Sequence, residues 1–183
     1  MRRISALALF SALTCTGARA HAFGHKGDVS FAADRLMGIY LFKDGPEDVT
    51  LVGLGAPAAA HPYTNARLGI DGFVTEGLSI GGSFAYWSYD GPNGVLFAPR
   101  VGYAIEFSNS FGFWPRGGLT YRSNSGGRDR DEELALTLEG MFYGCPTNHF
   151  AFTFGPAFDI GLVGDGPETR NIGLLTAGLL GWI

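Results

Sequence analysis

Eight charged side chains stand in segments that are otherwise apolar: Arg67, Asp71, Arg100, Glu106, Arg116, Arg122, Glu139 and Asp159. Four are cations and four are anions. Enclosed together they would have to pair, because one left unpaired in a confined interior costs several kcal/mol. Their chemistry is therefore that of a salt-bridged interior. The residue types that usually catalyse are placed differently. Acyl chemistry commonly needs a serine activated by a histidine. Here His21 and His25 lie near the N-terminus, His61 in a long connection and His149 at a turn, none at a recognisable nucleophile–base spacing. Cys145, beside Pro146, reads as a turn residue. The acidic run Asp129–Glu133 lacks the spacing of a calcium-binding EF-hand loop. No catalytic, cofactor-binding or metal-ligating residue is assigned, and an enzyme is not expected.

The N-terminus bears on where such an interior could exist. Arg2 and Arg3 precede an apolar stretch from Ile4 to Leu13, and Ala18-Arg19-Ala20 has the small-x-small pattern of a signal-peptidase site. The apolar stretch is too short for a spanning helix, which takes roughly twenty residues. Cys15 raises a lipoprotein alternative, but Thr14 is a poor residue before a lipidated cysteine. The expectation is a signal peptide at 1–20 and a single domain at 21–183. Removing Arg2, Arg3 and Arg19 from the thirteen Lys and Arg leaves ten against seventeen Asp and Glu, which disfavours nucleic acid as a partner. Only Cys145 remains, so no intrachain disulfide can hold the fold.

The elements that must position the charges are strands. No segment carries eighteen uninterrupted apolar residues, while period-two alternation predicts strands near 28–42, 64–75, 78–89, 94–107, 111–122, 133–144, 149–162 and 171–183. A membrane protein without spanning helices must close its sheet, since only closure satisfies every backbone group in lipid. Three connections are short (75–77, 108–110, 145–148), and they alternate with longer polar ones (90–93, 123–132, 164–171). Transmembrane barrels have short periplasmic turns and longer external loops. That rule gives an even count of eight strands with both termini periplasmic, and puts 43–63 outside. Val49 to Leu54 looks strand-like and is read as part of that first external loop.

The faces then separate. On 94–107, Val95, Phe97, Pro99, Val101, Tyr103, Ile105 and Phe107 oppose Leu96, Ala98, Arg100, Gly102, Ala104 and Glu106. On 149–162 phenylalanines oppose Ala151, Thr153, Gly155, Ala157 and Asp159. All eight charges join the small-residue face, which suits a transmembrane barrel with lipid outside. A soluble lipocalin-like barrel predicts the reverse. Tyr86, Phe107, Phe111, Tyr121, Phe142, Phe150 and Trp182 are placed as interfacial girdles. Adjacent Asp34 and Arg35 require either a charge toward lipid or a bulge. Pro99, Pro115 and Pro156 each remove a ladder donor, and bulges would accommodate them.

The segments Ala98-Pro99-Arg100-Val101-Gly102-Tyr103 and Trp114-Pro115-Arg116-Gly117-Gly118, with the strand at 149–162, resemble the small outer-membrane β-barrel proteins of Gram-negative bacteria, closest to uncharacterised members. The resemblance implies an antiparallel up-and-down barrel in the outer membrane. Its implied partners are membrane lipid and, during biogenesis, the barrel-assembly machinery. That machinery commonly reads a terminal Phe, whereas this chain ends Leu179-Leu180-Gly181-Trp182-Ile183 with the aromatic penultimate. Family members include structural proteins, adhesins, small pores and lipid-modifying enzymes, so the fold leaves function open. The reading carried forward is a structural or surface-interacting barrel with a closed interior, its loop ligand unidentified; a narrow pore for small solutes is the alternative.

Overall fold

A computed structural model describes residues 23–44, 47–54, 62–88, 93–125, 130–164 and 170–183. Residues 1–20, His21, His61 and Asp129 lie outside them. The described strands are β1 (Val29–Asp44), β2 (Glu47–Leu54), β3 (Arg67–Phe73), β4 (Leu78–Ser88), β5 (Asn93–Tyr103), β6 (Ile105–Ser108), β7 (Phe111–Ser125), β8 (Arg130–Thr147), β9 (Phe150–Gly164) and β10 (Arg170–Trp182). Each barrel strand pairs antiparallel with its neighbours, and β10 returns to β1, which closes the wall. β5 and β6 are two pieces of one strand, broken at Ala104 and both paired to β7. The ring therefore has eight strands, in an all-β antiparallel transmembrane-type barrel. β2 forms a hairpin arm on the upper half of β1, while β3 takes the lower half.

The stagger of the wall follows from its pairing. Hydrogen-bonded partners lead once round from Ser30 through Asp71, Gly81, Arg100, Gly118, Thr137, Asp159 and Asn171 to Phe42. The circuit ends twelve residues further along β1 than it began. That offset is what tilts the strands, and it brings distant residues to one level of the barrel.

Glycine makes room along this path. A Cβ on Gly81 would run into the Ile70 carbonyl oxygen and stand 2.6 Å from the Asp71 Cα, both backbone atoms that cannot turn aside. Gly81→Ala is expected to cost about 2 kcal/mol by forcing β3 and β4 apart. The check is the gel shift between unboiled and boiled protein, which should weaken in the variant.

Several boundaries differ from the sequence reading. The turn expected at 145–148 falls at Asn148 and His149, because β8 continues to Thr147 across a register shift. Cys145 is thus not a turn residue; it is buried on the inner face. The β7–β8 hairpin pairs as far as Ser125 with Arg130, shortening the loop drawn over 123–132. Of these three prolines only Pro156 lies beside a register shift; Pro99 and Pro115 lie on the outer face where the register is kept, with the β5–β7 pairing skipped at Pro99.

Candidate functional site in the barrel interior

The inner face is organised in three layers. At the end carrying the short turns, Phe23 enters the barrel among Phe73, Trp114, Tyr143 and Trp182, with centroid separations of 4.9 to 5.3 Å in edge-on geometry. Such edge-to-face contacts add to the burial of each ring. Trp182 is buried here, so its placement in an interfacial girdle is corrected: the pleat turns its ring inward and exposes Ile183. Tyr86, Phe107, Phe111 and Tyr121 are exposed on the outer face, with Phe142 and Phe150 partly so.

The Phe23 strap is tied down locally. The Asp28 carboxylate accepts from the Gly24 and His25 amides, Gly27 N–H donates to the Phe73 carbonyl, and Gly77 N–H donates to that of Gly24. His25 Nδ1 meets Glu76 Oε2 at 2.9 Å. That hydrogen bond, with the Lys26 amide, holds the Glu76 carboxyl below its ordinary value. A carboxyl lowered on folding stabilises above its ordinary range and loses that contribution as pH falls through the lowered value. Acidification below that range should therefore lower the protection of the Gly24 to Gly27 amides relative to their intrinsic exchange rates, and Glu76→Gln should remove the pH step.

Above the aromatic layer lie the charges. Arg100 bridges Asp71, bidentate at 2.9 and 2.5 Å, and Asp34 at 2.7 Å. Arg116 meets Asp34 at 3.1 Å and Glu139 at 2.8 Å. Arg35 meets Glu139 at 3.1 Å and Asp159 at 2.6 Å, and donates to the Tyr63 carbonyl at 2.7 Å. Arg67 donates to that same carbonyl at 3.3 Å and lies 3.8 Å from Asp159. Thr137 and Asn171 each donate to Asp159 at 2.8 Å. Arg122 pairs separately with Glu133 at 2.7 Å. The Arg116 guanidinium also lies 4.6 Å over the Trp114 ring, joining the charged layer to the aromatic one.

Seven of the eight charges singled out in the sequence therefore pair inside the barrel. Glu106, paired with the inward Gly112, keeps the inner face but lies at the mouth carrying the short turns, where it is exposed. Its place is taken by Asp34. Asp34 and Arg35 are both buried, since Arg35 adopts a left-handed φ of 56° within a register shift between Ala33 and Met37. The bulge turns two consecutive side chains to the same face, which plain alternation cannot do. Glu133, which the sequence offered only as part of a calcium-like run, faces Arg122 instead. The adjacency of Asp34 and Arg35 was the one available signal for the bulge.

The third layer lies toward the longer connections. The 3-10 turn Pro62–Thr64 is set against β1, and Tyr63 is fully buried in a cluster with Ala85, Trp87, Leu96, Ala98 and Ala135. A cavity of about 10 Å³ lined by Arg67, Ser83, Arg100, Arg116, Thr137 and Glu139 among others lies in the charged layer, room for about one water.

The outer face is the reverse. Leu68, Ile80, Phe84, Phe97, Val101, Phe152 and Leu162 are among its exposed apolar side chains. A closed sheet with charges inside and an apolar band outside is an outer-membrane β-barrel, the opposite orientation from a lipocalin. Solved structures with this fold include the N-terminal β-barrel domain of OprF from Pseudomonas aeruginosa, with 12% identity, 86% of this chain and 98% of that one covered, and a TM-score of 0.55. Neisserial surface protein A superposes with 10% identity over 85% of this chain and 99% of that chain, at a TM-score of 0.61. Ail, the attachment invasion locus protein of Yersinia pestis, gives 11%, 86%, 99% and 0.54, and is also known in complex with the heparin analogue sucrose octasulfate. No protein-family model matches the sequence, and no curated relative does.

Proposed function

We propose that this is a closed, non-enzymatic outer-membrane barrel with a structural and surface-presenting role. The observation that carries the reading is the layered filling of its lumen. A pore needs a continuous wet path, and the aromatic, charged and Tyr63 layers each stand across it. Against catalysis, His25 is engaged with Glu76, His149 with the Trp182 carbonyl, and Cys145 lies among buried aromatic rings. In this reading the signal at 1–20 directs export, and the barrel-assembly machinery inserts the processed chain.

Surface presentation falls to the external connections. Their sequence is rich in acids: Asp44, Glu47 and Asp48; Asp129, Asp131 and Glu132; Asp165 and Glu168. Ail is known with a polysulfated ligand, but loops of this charge disfavour a polyanion and suit a neutral or cationic partner. Single-channel recording of the purified protein in a planar bilayer tests the closed reading. No discrete conductance steps are expected; regular steps would replace it with a narrow pore for small solutes.

A further inference from the structure

The outer wall carries a feature that neither closure nor presentation uses. A groove of about 580 Å³ is lined by Phe31, Leu68, Ile70, Gly82, Phe84 and Phe97, with neighbouring small residues. Its shape follows from the register. One row across the sheet reads Phe31, Ile70, Gly82, Pro99, and the next reads Ala33, Leu68, Phe84, Phe97. Gly82 leaves a floor between walls of ring and branched side chains. Because barrel strands tilt by roughly 35–45°, a path oblique to four strands runs close to the barrel axis. Lipid acyl chains lie in that direction.

The next row up is Tyr86 paired with Val95, and there a second depression begins. It has about 270 Å³ and is lined by Tyr86, Asn93, Gly94, Val95, Ser123 and Ser125. It offers hydroxyl, amide and phenol groups with no charged side chain. The Ser125 hydroxyl already bonds the Asn93 side chain, which fixes the amide at the rim. Tyr86 is 63% exposed, an aromatic face at the level where tyrosine favours the interface. An apolar groove thus runs up to a neutral polar pocket at the external end of the same strands.

We propose that this wall binds one outer-leaflet glycolipid, its acyl chain in the Phe31–Phe97 groove and its uncharged sugar at Tyr86, Asn93 and Ser125. The groove is continuous with the lipid-facing band, so its occupant is apolar and slender. The pocket favours a hydroxyl-rich headgroup over a phosphate, which would meet no cation among the lining residues.

Photolabelling of the folded full-length barrel tests the assignment. Phosphatidylethanolamine vesicles would carry the same diazirine-bearing acyl chain on either a glucosyl diacylglycerol or phosphatidylglycerol, with labelled residues mapped after irradiation. The glucosyl lipid should label Ile70, Phe84 and Phe97 over Phe158 and Ile160 of the far wall, and exceed phosphatidylglycerol at the groove. Asn93→Ala should lower groove labelling roughly fivefold, the effect of one lost hydrogen bond. Ile70→Trp, at an exposed position that leaves the fold intact, should lower labelling by filling the groove. Uniform labelling round the barrel, or equal labelling by both lipids, would each overturn the proposal.

Discussion

Glu139→Gln is expected to lower the stability of the detergent-solubilised barrel by about 3 kcal/mol, read as a shifted urea midpoint. Glu139 sits where three guanidinium groups converge: Arg35 at 3.1 Å, Arg116 at 2.8 Å and Arg100 at 3.7 Å. Glutamine keeps the shape and one acceptor oxygen but removes the charge. Each arginine retains another carboxylate, Asp159 for Arg35 and Asp34 for Arg100 and Arg116, which keeps the loss near the lower end for a broken buried pair. Adding Arg116→Met should cost less than the two single changes together, because it removes the partner left unbalanced. An unmoved midpoint would mean that water already solvates the cluster, and the closed reading would fall with it.

The faces of the barrel were legible because a spanning strand has only two, and one meets hydrocarbon. Arg100, Arg116, Glu139 and Asp159 could each be assigned inward from alternation alone, since a lipid-facing charge is costly at that depth. What alternation could not supply was where it fails. The bulge at Arg35 sets two extra residues of β1 against β10, so that Asp34 and Arg35 both turn inward while Met37 and Ile39 stay outside, and Glu106 keeps its face but lies beyond the buried layers. Both depend on partners across the sheet, set by the circuit from Ser30 to Phe42 and not by local residue preference. Trp182 was misplaced for a related reason. An aromatic near a strand end suits a girdle or a lumen equally, and the presence of Phe23 inside the mouth decides between them. Nothing in the sequence around Phe23 or Tyr63 marks a plug, because each becomes buried only through contacts far along the chain.

That dependence makes Phe23 the second informative substitution. Phe23→Ala removes a ring that is 4% exposed and meets four aromatic neighbours. Truncation of a buried phenylalanine costs about 3–5 kcal/mol, comparable to Glu139→Gln. The two variants should nonetheless part in function-like measurements. Removing Phe23 opens the mouth at the short-turn end only as far as Arg116, whose guanidinium lies over Trp114 just above. The charged layer and Tyr63 still stand across the lumen, so the Phe23→Ala barrel should unfold earlier in urea yet show no conductance steps in a planar bilayer. If Phe23→Ala alone conducts, the charged layer does not close the barrel, and the N-terminal strap is its gate. Loss of stability without conductance is the result that layered closure requires, because each layer excludes water independently while all three share the load of holding the strands together.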